Sequence, residues 1–237
     1  MPRQNELASL IPAGHGGWRP GAGRPRIHKS RVAHESREPF KAAAPVLVTL
    51  KVRKEVPRLR TGRFVRSFRR SLCQCSIREG FRVVHYSIQS DHLHLIVEAD
   101  STKALANGMK SVGARFARCV NRIFDRSGTV LKERFHHAVK LSPQEVRRAL
   151  AYVLLNSRKH FRRRTGKVPP VILDEASSGR WFTGWTTAPP RENGRLSRFL
   201  HRTNDECEVA SPTTWLLRTG WKKRGARIDP ASVPGPA

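Results

Sequence analysis

Apolar residues alternate at Val46, Val48, Leu50 and Val52, which predicts a strand that buries one face. The period then lengthens. Phe64, Phe68, Leu72 and Cys75 recur at intervals of four and three, so a helix is expected over about 59–78, ended by Gly80. Residues 82–88 return to strand character. A turn at Gln89-Ser90-Asp91 leads into a further strand, His92 to Glu98, close enough to pair with it as a hairpin. Asp100 and Ser101 open a long helix over about 101–125, with Leu105, Met109, Val112, Phe116, Val120 and Ile123 as its apolar stripe. A strand-like stretch follows from Gly128 to about Leu141. Ser142-Pro143-Gln144-Glu145 then joins a capping box to a proline at the first helical position. The helix it opens is predicted to reach about residue 160, on a stripe of Val146, Leu150, Val153 and Leu154.

The order β-α-β-β-α-β-α predicts an α+β fold. It is the ferredoxin-like split βαβ arrangement: a four-stranded antiparallel sheet, two packing helices and an added C-terminal helix. On either side the pattern lapses. Residues 1–43, rich in Gly, Pro, Arg and His, read as a disordered basic arm, and 44–162 as the domain. Residues 163–237 read as a basic, partly helical extension, with short helices near Arg198 and Trp215-Leu216-Leu217 and a frayed Pro/Gly-rich end. Its Trp181, Trp185, Trp215 and Trp221 are either packing anchors or platforms for bases.

Charge decides the class of partner. Lys plus Arg number 46 against 18 Asp plus Glu, a formal net charge of +28, which asks for a polyanion. In the arm, Gly23-Arg24-Pro25-Arg26 resembles an AT-hook, so Arg24 and Arg26 either enter an A·T minor groove or are drawn to phosphates alone. Cys73, Cys75, Cys119 and Cys207 are too few and too uneven for a secreted disulfide scaffold. With no apolar run of about 18 residues and no apolar leader, no membrane partner is expected and the address is cytoplasmic, beside the nucleoid.

Two short patterns carry candidate chemistry. In Asp91-His92-Leu93-His94-Leu95, strand geometry puts His92 and His94 on one face and the leucines on the other, so two imidazoles form half of a metal site. Tyr152 and Asn156 are spaced i, i+4 on a helix, on a face away from the apolar stripe and shared with Arg148 and Lys159. Taken singly, each pattern has a plain alternative: surface histidines, and a tyrosine at the edge of the core.

Together they resemble the single-tyrosine HUH transposases of the IS200-like superfamily, and within them the REP-associated tyrosine transposases. Gln89-Ser90-Asp91-His92-Leu93-His94-Leu95 corresponds to the histidine motif and Tyr152-Val153-Leu154-Leu155-Asn156-Ser157 to the tyrosine helix, with the elements in the same order over roughly 44–162. Ser90, Asp91 and Ser157 stand where the family usually has Pro, Asn and Pro. The resemblance implies that His92, His94 and the Asn156 amide hold Mg²⁺ or Mn²⁺. It also implies that Tyr152 attacks a phosphodiester of single-stranded or hairpin DNA, and that the strand is cut and rejoined through a 5′-phosphotyrosine. Arg148 and Lys159 would assist Tyr152 and the DNA, and the chain would act as a monomer or a homodimer. The principal alternative is a DNA-binding regulator on the same fold that no longer cuts. An RRM-type RNA binder would need aromatics on the central strands, and a two-histidine phosphoesterase a second His-x-Ser/Thr motif.

Overall fold

The computed structural model describes residues 43–190, 208–225 and 227–235. The arm with Arg24 and Arg26, and the helix expected near Arg198, lie outside the described residues.

The ordered chain begins with strand β1 (Ala44–Lys51), followed by helix α1 (Gly62–Cys73). The helix starts where Thr61 accepts the Phe64 amide. It stops at Cys73, short of the expected end, because the chain then makes a small hairpin: β2 (Ile77–Arg78) turns back at Gly80, φ +62°, into β3 (Phe81–Ile88). Strand β4 (His92–Ala99) pairs antiparallel with β3 on one side and β1 on the other. Helix α2 (Thr102–Ile123) is capped by Ser101. Strand β5 is only His136–Val139, far shorter than the strand-like stretch suggested, because the chain leaves the edge of β1 at 133–135 and meets it again upstream only around Leu131, which bridges Val52. The sheet order is β2-β3-β4-β1-β5. Apart from the two-residue β2, that is the split βαβ sheet expected from the element order.

Helices α1 and α2 cover one face, where Phe116 packs edge-to-face against both Phe64 and Phe68. Gly108 of α2 lets the Phe81 ring approach so closely that a Cβ would stand 2.2 Å from it. Tyr86 belongs to this core, opposite Leu95 and turned away from the histidines, with its hydroxyl donating to Glu208 at 2.6 Å.

The other face is not open. Helix α3 (Pro143–Leu154) lies across Val84 and Ile96, and the C-terminal extension completes the cover with Phe182, Trp185, Leu217, Trp221 and Ile228. The capping box of α3 is present as expected. The helix ends early, however: the chain breaks at Leu155 and restarts as α4 (Asn156–Thr165). Leu154, Leu155 and Asn156 are all buried, which a continuous helix with a single stripe would not achieve.

The extension is fastened by polar groups. Glu98 of β4 accepts four hydrogen bonds, from the backbone N–H and hydroxyl of both Thr213 and Thr214, at the start of α5 (Trp215–Arg218). Glu208 accepts from Tyr86, Arg180 and Trp181 and pairs with buried Arg69. Residues 176–178 and 210 also satisfy the outer edge of β3: Ile88 donates to Ala176, Ser87 bridges Ser177, Tyr86 N–H donates to the Ser178 hydroxyl, and Ala210 donates to Val83. The last described residues are tied down too, since Arg158 donates to the carbonyls of Pro170, Ala231 and Ser232. Two of the tryptophans, Trp185 and Trp221, are therefore packing anchors, whereas Trp215 stays 54% exposed beneath the Lys223 ammonium. Among the described residues, no helix is long and apolar enough to cross a membrane.

Candidate active site

His92 and His94 project from β4 onto the face covered by α3, because side chains two apart on a strand share a side. Their rings are turned by different neighbours. Asp91 Oδ1 lies 2.7 Å from His92 Nδ1, and Thr49 Oγ1, on the paired strand β1, lies 2.9 Å from His94 Nδ1. Both Nε2 atoms therefore face each other, 3.0 Å apart. The aspartate that departs from the family pattern is thus the group that orients His92. Burial works against the Asp91 charge, but the His92 ring at its oxygen and the positive charge nearby bring its pKa below the ordinary value.

The tyrosine comes from α3 and α4 follows it past the same histidines. The Tyr152 ring meets His94 edge-on at 4.9 Å between centroids, and the His160 ring lies 6.0 Å from His92. Asn156 is the first residue of α4, just after the break at Leu155, and His160 follows it one helical turn later. The expectation that the Tyr152–Asn156 face is uncovered needs correction. Tyr152 is half-buried against the α3 cluster, and Asn156 is 1% exposed, because the break at Leu155 tucks it inward. Lys159 stands over the Tyr152 ring, 4.8 Å from its centroid, and Arg148 is exposed on α3. His160 and Thr49 were not singled out from sequence. The first had a signal, a histidine at the next i+4 step; the second became visible only with the β1–β4 register.

Burial acts on three ionisable groups of the site. Burial, with His92, His160 and Lys159 nearby, lowers the His94 pKa to about 3, so its ring is neutral and able to ligate. Burial and the neighbouring His92 likewise lower His160. Burial raises the Tyr152 phenol, so it is protonated at neutral pH.

The residues fit a divalent ion. Both amide atoms of Asn156 are buried without a hydrogen-bond partner, a costly state that a ligand would relieve. Two nitrogens held cis on one ion at about 2.1 Å would stand about 3.0 Å apart, which is the spacing of the two Nε2 atoms. Among the described residues no group of three His, Cys, Asp or Glu is placed to hold a metal ion, here or elsewhere. The third protein ligand here would be an amide, which with two imidazoles suits Mn²⁺ or Mg²⁺ rather than a closed structural zinc site.

Residues 40–144 match the family described as "Transposase IS200 like", and the resemblance to these transposases read from the motifs is borne out. The matched segment holds His92 and His94; Tyr152 and Asn156 follow it. Among solved structures, the chain is similar to the REP-associated tyrosine transposase bound to a REP hairpin. The TM-score is 0.44 and the identity 15%, over 54% of this chain and 74% of that one. It is also similar to a Deinococcus radiodurans protein described as a transposase, with a TM-score of 0.36 and 13% identity, over 51% of this chain and 95% of that one. No curated protein matches the chain.

Proposed function

We propose that this protein is a metal-dependent DNA transesterase that cuts and rejoins single-stranded DNA at a hairpin or palindromic site, with Tyr152 as nucleophile. The observation that carries the reading is the meeting of the Tyr152 ring with a histidine pair whose Nε2 atoms are turned to one point. His92, His94 and Asn156 would hold Mg²⁺ or Mn²⁺. Such an ion supplies Lewis acidity to the scissile phosphate and draws charge from an oxygen near it.

The chain's own groups do the rest. Tyr152 Oη forms the new bond to phosphorus as the bond to the 3′-oxygen breaks; the phenolic proton leaves Tyr152, and a proton is taken up by the departing 3′-hydroxyl. The product is a 5′-phosphotyrosine. One phosphodiester replaces another, so attack by a 3′-hydroxyl reverses the step without ATP. Lys159 over the Tyr152 ring favours the phenolate as it develops. Arg162, Arg163 and Arg164, which continue α4 beyond His160, can hold the strand's phosphates. The setting would be the cytoplasm, at the nucleoid, with the chain acting alone or as a pair.

Incubation with a labelled hairpin oligonucleotide from the gene's own flanks and Mn²⁺ should give a covalent protein–DNA band, which Tyr152→Phe abolishes. If Tyr152→Phe retained full biological activity, the chain would instead be a DNA-binding regulator on this fold.

A further inference from the structure

The cover over the sheet's second face is incomplete. A cavity of about 210 Å³ remains between α3, the turn at Ser178–Trp181 and α5. Its walls are apolar: Trp181, Phe182 and Trp221 on one side, with Phe182 and Trp221 packed on each other at 5.4 Å and a tilt of 30°, beside Val84, Leu150 and Leu217. Its rim is cationic, with Arg218 and Lys222 exposed. One polar side chain of the sheet also lines it. His85 of β3 is 8% exposed; its Nδ1 is engaged by the Ser178 hydroxyl at 3.1 Å, and its Nε2 has no hydrogen-bond partner among the described residues. Burial lowers the His85 pKa to about 4, so the ring in the cavity is neutral and can present either a donor or an acceptor.

We infer that this cavity is a nucleotide subsite: a base lies against the aromatic wall, its polar edge meets His85 Nε2, and its phosphate stays at the rim with Arg218 and Lys222. A flat aromatic wall suits the π-face of a base, one oriented polar group suits its edge, and cations at the mouth suit the phosphate. The location is consistent with a DNA strand already held at the tyrosine. His85 faces the same side of the sheet as His94, one strand over and two pairs along, roughly 8 Å away between backbones. The walls come largely from residues 181–222, beyond the segment matched to the transposase family, so the extension would give this chain a contact of its own. As a subsite for the DNA strand, the proposal rests on the transesterase reading; as a nucleotide site it stands separately.

The test titrates the full-length protein with each of the four deoxynucleoside 5′-monophosphates while following the His85 ring by NMR. At least one nucleotide should shift the ring resonances, and inorganic phosphate should not. Arg218→Ala should weaken binding about tenfold. Ser211→Trp, at an exposed position on the rim, should block the shift without altering the unfolding temperature. A second arm scans a cleavable oligonucleotide with single abasic residues. One position should lower wild-type affinity about tenfold and leave Ser211→Trp unaffected, whereas a flat scan with shifted resonances makes the ligand a free nucleotide. Unmoved resonances with a flat scan overturn the proposal. Covalent adduct formation by the same wild-type preparation separates the two readings: an adduct without any nucleotide effect sinks the subsite alone, and nucleotide binding without an adduct sinks the transesterase.

Discussion

Thr49 on β1 sits directly opposite His94 on β4 and places its hydroxyl 2.9 Å from His94 Nδ1, so the strand register itself decides which ring nitrogen faces the site. Thr49→Val keeps the shape and removes that contact. It should weaken Mn²⁺ binding by about 10–100-fold, the usual cost of losing a group that orients a ligand. Isothermal titration of the metal checks this, with the unfolding temperature expected to change little.

Asn156 makes the opposite kind of prediction. Its buried amide has no hydrogen-bond partner, so Asn156→Leu should leave the metal-free protein as stable or stabilise it by about 1 kcal/mol. The same change should abolish the stabilisation that Mn²⁺ gives the wild type. Urea unfolding with chelator and with Mn²⁺ reads both effects.

These two residues show how legible the site was. His92 and His94 could be placed on one face from the alternation alone, and Tyr152 and Asn156 from an i, i+4 spacing. Helix type, the α3 cap and the β3–β4 hairpin followed from local patterns too. What could not be read depended on distant partners. Thr49 needed the β1–β4 pairing, and β5 is short because the chain leaves the sheet edge at 133–135. The burial of Asn156 came from the break at Leu155, which the helical wheel does not foresee. The docking of the extension turns on Glu98 and Glu208, two carboxylates that look like ordinary surface charges in the sequence.

Glu208 is therefore a sensitive position. Glu208→Ala would leave the buried Arg69 guanidinium without its carboxylate and should cost about 3–5 kcal/mol. Tyr86→Phe removes one hydrogen bond to the same carboxylate and should cost about 1.5–3 kcal/mol. Urea denaturation of both variants, with the full chain in each case, tests the order as well as the sizes.

His85 sets a pH dependence. Its pKa is lowered from 6.5 to about 4 by burial, so the unfolded chain binds a proton that the folded chain refuses. This stability is fully present above pH 6.5 and is lost as the pH falls towards 4, by up to about 3 kcal/mol. His85→Gln should flatten that part of the stability profile between pH 7 and 4. A profile parallel to the wild type would show that the ring is not held neutral.

The patching of β3's outer edge by Ala176, Ser177, Ser178 and Ala210 bears on how the protein is made. A nascent chain that has delivered both the His-Leu-His strand and the tyrosine helix to the ribosome exit still carries a bare strand edge, the kind of surface on which other chains can add. That edge closes only when segments some ninety and more than a hundred residues downstream have emerged. A ribosome stalled, or a gene truncated, between the tyrosine helix and residue 176 would release a domain with both motifs present and its flank open to aggregation.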